Sequence, residues 1–401
     1  MRTNHYDYII AGAGLAGLSL AYYLVEAGLS TQRVLLVDRS QKTENDRTWC
    51  FWAKNEMAFS HLVSHRWDHL HFFGPDVHRE ASIAPYSYQQ IRGIDFYDYV
   101  KPLVLQHPQI DWLSAQIEHV GEDQEGAFVH TGEERIRAKW VLDSTHRVNP
   151  QKVREQQYHW QWQHFRGWFI ETKQAQFHSN QATLMDFRVP QKNDARFLYV
   201  LPFSEHQALV EFTGFSNEFY AEQEYEEVLE HYIVQQLGIT DYEVSERESG
   251  AIPMTDWSVD RHPSPHVIRI GTAGGQVKPT TGYAFWNIQL DCQVMAESLL
   301  WHQKPAFRPA TSARYQFYDR LLLNILQENG HRAQSIFTAL FKHNHMQRIL
   351  RFMGESTQIW EEAILFSQLP WAPFFRAIAN THPLYKRWQT WTKSRQYPVK
   401  I

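Results

Sequence analysis

The sequence predicts an α/β fold. A parallel-sheet domain is split in two by an inserted antiparallel β-sheet domain, and a helical region closes the chain. Three observations carry this expectation. A buried strand, a glycine-rich turn and an apolar helix open the chain, with Gly12-Ala13-Gly14-Leu15-Ala16-Gly17 at the turn. Strand-like segments dense in aromatic residues dominate from Val153 to about residue 264. A late strand then runs into a second glycine-rich stretch, Gly271 to Gly275, with Thr280-Thr281-Gly282 after it.

The opening unit reads in order. Tyr8–Ala11 is a short apolar run of the kind that forms a buried parallel strand, and an Ala/Leu-rich helix follows from Leu15 to Ala27, ending at Gly28. Val34–Val37 is the next buried strand and ends on Asp38, 26 residues after Gly12. Each part has a physical job. Gly12 permits the tight turn, Gly14 lets a pyrophosphate approach the backbone, and Gly17 lets helix and strand pack closely. The helix N-terminus offers unpaired N–H groups to phosphate, and Asp38 can accept hydrogen bonds from ribose hydroxyls. Together they predict a Rossmann-like dinucleotide site. Its place near the start of the sequence favours FAD over NAD.

Further along, Arg39–Arg47 reads as a polar loop and Thr48–Trp52 as an aromatic cluster that covers a bound ring, lines an entrance or fills core. Strand character recurs at 68–73 and 79–86. A helix is expected from Phe96 to Gln106 with Asp95 as its N-cap. A strand at Ile110–Gln116 precedes a meander through 117–120, 127–130 and 135–138. Trp140–Asp143 is expected beside the first strand. Segments 158–170, 182–188, 197–203 and 208–213 then build the antiparallel sheet, with Ser204–Gln207 as a turn. Glu218–Leu237 reads as helix and Tyr242–Met254 as strand. Val267–Ile270 re-enters the first sheet, and amphipathic helices follow Pro305. The expected division is 1–150 and 265–304 for the FAD domain, 151–264 for the substrate domain, and 305–401 for the helical region.

Composition excludes several classes. The 401 residues are 43% hydrophobic, enough for a substantial core. No run of about 18 apolar residues suggests a membrane span, and the N-terminus lacks a signal-peptide pattern. A cytoplasmic protein is expected. Cys50 and Cys292 are the only cysteines, so neither a disulfide framework nor a zinc site is expected. Charge divides unevenly: residues 301–401 hold 14 Lys/Arg against 5 Asp/Glu, whereas the first 300 hold 25 against 39. A basic, aromatic-rich end suits an anionic membrane surface. Nucleic acid fits less well, because no recognisable nucleic-acid module accompanies it.

The second glycine-rich stretch also has chemistry. In two-dinucleotide-type flavoproteins a late strand ends in such a turn, and a helix starts beneath the flavin ring. Gly271, Gly274, Thr280, Thr281 and Gly282 are therefore expected at the cofactor, with a helix dipole favouring a reduced, anionic ring. Many flavoproteins carry Asp after the first glycine of this turn; here it is Thr272.

The motifs, taken together, resemble one family. Gly12–Gly17, Thr48-Trp49, Phe197-Leu-Tyr-Val-Leu-Pro-Phe203, Leu209-Val-Glu-Phe-Thr213, Gly250-Ala-Ile-Pro-Met254 and Gly271…Pro279-Thr-Thr-Gly282-Tyr resemble the lycopene β-cyclases of the bacterial flavoprotein type. The resemblance covers most of residues 6–300. It implies closure of the linear ends of lycopene, or of a monocyclic carotene, into β-ionone rings. That is an isomerase-type, intramolecular-lyase reaction. It implies reduced FAD without net redox change, with NAD(P)H as reductant. It also implies that Glu211 occupies the first Glu of the family's Phe-Leu-Glu-Glu-Thr segment, whose second Glu is here Phe212.

The local pattern suits an acid. Alternation puts Leu209, Glu211 and Thr213 on one face, and pairing across the turn is expected to set Val200 beside Glu211. Burial among such neighbours raises a carboxyl's pKa, and a neutral acid can donate a proton. Asp143 and Asp256 are alternatives without a motif. Cation stabilisation is the larger demand, and aromatic faces can supply it. A docking face is expected from Trp371, Phe374, Phe375, Trp388 and Trp391 among Arg376, Lys386, Arg387, Lys393 and Arg395, making the protein peripheral to a membrane. The competing readings are an FAD-dependent monooxygenase, a prenyl or carotenoid reductase, or a non-catalytic prenyl carrier on the same fold.

Overall fold

The structure is a computed structural model describing residues 5–132, 134–308 and 311–381. The chain runs β1 (His5–Ala11), α1 (Leu15–Glu26), β2 (Val34–Asp38), β3 (Thr48–Ala53), β4 (His65–Trp67), β5 (His69–Gly74), β6 (Val77–Ser82) and β7 (Ser87–Arg92). Next come α2 (Gly93–Leu105), β8 (Ile110–Ser114), β9 (His119–Asp123), β10 (Gly126–His130), β11 (Arg135–Asp143), α3 (Pro150–Glu155) and β12 (Trp160–Thr172). Then follow β13 (Gln181–Asp186), β14 (Ala195–Pro202), β15 (Gln207–Ser216), α4 (Glu222–His231), β16 (Tyr242–Thr255) and β17 (Val267–Arg269). Helices α5 (Phe285–His302), α6 (Ala313–Asn329), α7 (Arg332–His343), α8 (Met346–Met353), α9 (Ile359–Ser367) and α10 (Trp371–Thr381) complete the described chain.

The first sheet has the order β8-β2-β1-β11-β10-β9, with β17 also paired to β11. Strands β2 and β11 flank β1 in parallel, Ile9 lying beside Leu35 and Val141. Ile9 and Ile10 point to opposite faces and are both fully buried, as expected of a strand covered on both sides. Helix α1 covers one face together with α5. Strand β11 is continuous, where the sequence suggested two strands. Its first half exposes alternate residues (Arg135, Arg137, Lys139), and its second half is buried throughout Val141–Asp143. Helix α2 begins at Gly93, so Asp95 lies in its first turn and is not the cap. The Gly93 N–H donates to the Arg47 carbonyl at 2.6 Å, and a Cβ there would sit 2.8 Å from that oxygen.

The second sheet has the order β16-β12-β15-β14-β13-β5-β6. It is antiparallel except where β13 meets β5. Residues 69–82, grouped by sequence with the first domain, thus supply two of its strands. Alternation along β15 sorts its faces. Val210 and Phe212 pack under α4 with Tyr225 and Leu229. Leu209 belongs to the opposite face, where Leu323 and Leu326 of α6, Phe341 of α7 and Leu350 of α8 join the core. Each such side chain contributes roughly 1.5–3 kcal/mol on burial. The C-terminal helices are therefore part of the second sheet's core. A three-stranded sheet, β3-β7-β4, completes the strands.

Candidate active site

A single cavity of about 2530 Å³ runs from the first glycine turn to the second sheet. Pockets for one small ligand usually span about 300–1,000 Å³, so there is room here for a cofactor and a second long molecule. Gly12, Gly14 and Asp38 line one end; Gly274, Thr281 and Gly282 line the middle; Glu211 and Glu248 line the sheet.

The first end is an open, uncapped helix start. Gly14 is the N-cap of α1, which has no side-chain cap and no acid in its first turn. A Cβ added to Gly14 would meet nothing within 4 Å, so the backbone is open to a ligand. A Cβ at Gly17 would lie 2.0 Å from the Gly12 carbonyl oxygen, so that glycine serves the packing of turn on helix. Ala13, Leu15, Ala16 and Gly17 are not among the residues lining the cavity. The Asp38 carboxylate is already engaged: Oδ2 accepts the Ala13 N–H at 2.7 Å and Oδ1 the Ser40 N–H at 2.8 Å. It ties the second strand to the turn, and the Lys42 ammonium lies 3.6 Å from the same Oδ2.

The second turn divides its residues. Gly271 has φ +61°, and its Cβ would sit 2.7 Å from that of Ala16, so it packs on α1 behind the cavity. The Thr280 hydroxyl, expected at the cofactor, instead donates to Asp319 Oδ1 at 2.7 Å. The Thr281 hydroxyl is buried without a partner beside the cavity. Helix α5 starts after Ala284 with no side-chain cap and no acid in its first turn. The open Gly14, the orphaned Thr281 hydroxyl and two uncapped helix starts fit FAD. Below this turn lies an ion cluster that the sequence did not reveal. Lys278 Nζ donates to Asp319 at 3.0 Å and to Glu355 at 2.8 Å, pinning the turn to α6 and the loop after α8.

The acid side is built by strand register. Tyr199, not Val200, stands opposite Glu211. Phe203 and Gln207 close the β14–β15 turn, which leaves three residues in the loop and shifts the expected pairing by one. A one-residue slip changes which side chains share a face. On the other side of Glu211 lies Gly167, and beyond it Glu248. Thr213 donates to Glu211 Oε1 at 3.0 Å, and Thr48 to Glu248 Oε2 at 2.9 Å. Tyr88 and Tyr283 hydroxyls meet at 3.1 Å, and Tyr199 bonds to Tyr283. Burial, followed by the neighbouring Glu248 charge, holds the Glu211 carboxyl well above the ordinary carboxylate range. Burial also raises Glu248.

The two alternative acids are placed differently. Asp143 Oδ1 accepts from the Thr145 N–H and hydroxyl at 2.8 and 2.7 Å. Burial pushes Asp256 up, but bonds from His159 and the charge of Arg320 outweigh it and keep the carboxyl below its usual range. Asp256 is therefore a poor proton donor.

A model of the lycopene cyclase protein family matches residues 7–379. The chain belongs to the lycopene cyclase family. It is 24% identical over 402 residues to the lycopene beta-cyclase of Pseudescherichia vulneris, covering 94% of this chain and 98% of the relative. It is 25% identical to a chloroplastic lycopene beta cyclase of an Oncidium hybrid cultivar, over 73% of this chain and 64% of that one. It is 25% identical to a chloroplastic neoxanthin synthase of Solanum tuberosum, over 74% and 60%. The chain thus spans less than two thirds of those plant relatives. Solved structures share the fold alone. A flavoprotein/dehydrogenase from Cytophaga hutchinsonii matches with TM-score 0.59 at 11% identity, over 90% of this chain and 99% of that one. A flavin-dependent brominase matches with TM-score 0.58 at 15% identity, over 94% and 98%.

Within this lycopene cyclase family member, the neighbours of the site that the sequence did not single out are Glu248, Tyr88 and the Lys278 cluster, whereas Thr48, Tyr199 and Tyr283 stand in the motifs quoted above without an assigned contact. Glu248 sits in a run of charges, Glu243 to Glu248, that reads as a solvated strand. Only the pairing β15-β12-β16 brings it to Glu211.

Proposed function

We propose that the protein is a lycopene β-cyclase that closes linear ψ-ends into β-ionone rings, giving γ- and β-carotene without net redox change. The observation that supports this most is the Glu211 carboxyl, on the wall of a long cavity in a lycopene cyclase family chain and pushed by burial well above the ordinary carboxylate range. Glu211 donates its proton to the terminal C1=C2 double bond. The tertiary cation is attacked by C5=C6, and loss of the C6 proton leaves the ring. Tyr88, Tyr199 and Tyr283 line the same cavity beside Glu211 and offer π faces to the cation. Gly12, Gly14, Thr281 and Gly282 are the proposed holders of FAD. Held there and reduced, with NAD(P)H as the proposed reductant, FAD would supply negative charge to the cavity.

A bilayer-soluble substrate calls for a membrane-facing surface. Ile359 and Trp360 of α9 are 70% and 61% exposed, and Trp371 and Phe375 of α10 are 50% and 62% exposed. Arg376 is exposed on the same helix, whereas Phe374 packs inward with Ala377. This apolar surface is the proposed docking face of a cytoplasmic, peripheral enzyme. Among the described residues no helix is long and apolar enough to cross a membrane. Lys386, Arg387, Trp388, Trp391, Lys393 and Arg395 lie outside the described residues.

Expression in cells that accumulate lycopene tests the activity. β-Carotene, at unchanged mass, is the expected product. Unchanged lycopene, an ε-ringed product, or a product that has gained oxygen or hydrogen refutes the reading.

A further inference from the structure

Glu211 and Glu248 come from strands that are not neighbours. Strand β12 lies between β15 and β16, and its residue in the shared row is Gly167. A Cβ at Gly167 would stand 3.1 Å from Glu248 Cγ, 3.3 Å from its Oε1 and 2.7 Å from Leu209 Cδ1. Any other residue there would occupy the space that the Glu248 side chain crosses. Residues two strands apart are ordinarily separated by about 9–10 Å, and the missing side chain lets the two carboxyls meet over the middle strand.

We propose that Glu248 is the positioning partner of Glu211: across Gly167 the two carboxyls share one proton, and the Glu248 carboxylate keeps Glu211 loaded and oriented toward the cavity. The inference rests on the cyclase reading for the use made of that proton. The proton sharing itself does not.

Each carboxyl accepts one hydroxyl, Thr48 on Glu248 Oε2 and Thr213 on Glu211 Oε1, so these bonds do not separate the pair. Burial does: it holds Glu211 well above the ordinary carboxylate range, beyond the rise at Glu248. Two adjacent carboxyls cannot both ionise cheaply, so one pKa is driven up. Here the proton stays on Glu211, which donates it to Glu248: the contact raises Glu211 and lowers Glu248. The other titratable groups near the pair are Cys50 on β3, Tyr88 on β7, Tyr199 on β14 and Tyr283. Burial pushes all four above their ordinary values, so they stay neutral. Glu246, on the same strand as Glu248, adds negative charge.

The arrangement serves an acid-started cyclisation in two ways. Before reaction, the anionic neighbour prevents Glu211 from ionising near neutral pH. Proton donation then breaks the Glu211 O–H bond, forms a C–H bond on the substrate, and leaves two carboxylates facing a carbocation. The cation offsets their repulsion while it lasts. The ring gives up one proton as the double bond forms, and the pair takes one back, so its charge is restored.

Infrared difference spectroscopy of the purified full chain reads the shared proton directly, through the protonated-carboxyl band of wild type minus Glu211→Gln. That band should be present at pH 7. In Glu248→Gln it should titrate away at a pH lower by about one unit or more, and Glu248→Asp should restore part of the shift. The alkaline limb of the turnover profile should move with it. An identical titration in wild type and Glu248→Gln overturns the inference. So does a band that persists in Glu211→Gln, which places the proton on Glu248. A wild-type protein that carries the band but leaves lycopene unchanged refutes the cyclase reading and leaves the carboxyl pair standing.

Discussion

Glu211→Gln separates acid chemistry from structure. The amide is nearly isosteric. Its oxygen can still accept from Thr213, and its NH₂ can donate to Glu248, so both local contacts survive. The only thing removed is the titratable proton. A positioned acid contributes about 10²–10⁴-fold, and an isolated alkene is a weak base, so ring formation should fall at least about 100-fold. Bound flavin, read by absorbance, should be unchanged. The variant also has a stability signature. The folded-state pKa of Glu211 lies above its ordinary 4.5. Wild type therefore holds a proton that the unfolded chain releases, and it loses stability as pH rises from about 4.5 through the folded value. Glu211→Gln abolishes that loss. It should be more resistant to urea than wild type at pH 8, with no difference near pH 4. Turnover within tenfold of wild type would remove Glu211 from the mechanism. A variant less stable at pH 8 would refute the raised pKa.

Gly14→Val should leave the fold intact, because a Cβ there meets only open space, yet it should abolish flavin retention; Gly17→Val should lose the fold as well, since its Cβ would overlap the Gly12 carbonyl. Flavin absorbance and circular dichroism together distinguish these outcomes, and normal flavin content in Gly14→Val contradicts the assigned phosphate site. Asp319→Ala leaves Lys278 charged and buried, which should cost about 3–5 kcal/mol in urea denaturation, nearer the lower figure because Glu355 remains. A loss under about 1 kcal/mol would show that the cluster does not hold the turn. Trp360→Ser combined with Phe375→Ser should weaken sedimentation with anionic vesicles by about tenfold or more, as expected for two large apolar side chains. Unchanged binding discards this face as the docking surface.

The parts of the molecule legible in the sequence are those set by local chemistry. A glycine turn between strand and helix can be read because its demands are local: Gly12 takes a positive φ and Gly17 packs on the Gly12 carbonyl five residues away. The alternation Leu209, Glu211, Thr213 can be read because a strand has period two. What was not legible depends on partners far along the chain. Asp319 lies 41 residues beyond Lys278 on a helix that resembles any amphipathic surface helix. The α6–α8 helices carry enough apolar residues to suggest a separate region, yet those residues complete the core begun by Phe72, Phe187 and Phe197. Thr280 was expected at the cofactor from its place in the motif, but the buried Asp319 offers its hydroxyl a closer partner.

If the proposed cyclisation holds, register explains how a flavoprotein fold supports an acid-driven reaction. Related folds carry flavin-dependent enzymes with names as different as brominase and dehydrogenase, so the cofactor end does not decide the chemistry. On the proposed cyclase reading the row Tyr199–Glu211–Gly167–Glu248 does. Its position follows from the three-residue loop between Phe203 and Gln207 and from the bulge in β12–β16 pairing at Phe169 and Ile170. The bulge lies only two to three residues from Gly167, on the side of the turn. Without it, the partners beyond the bulge would slip by one residue, and Glu248 would keep its place only at the expense of pairing at the strand ends. An insertion or deletion of one residue in the Ser204–His206 loop would leave the dinucleotide turn untouched and would pull Tyr199 out of line with Glu211. The acid would lose its phenol neighbour and face a different cross-strand residue, so activity should be far more sensitive to the length of this loop than flavin binding is.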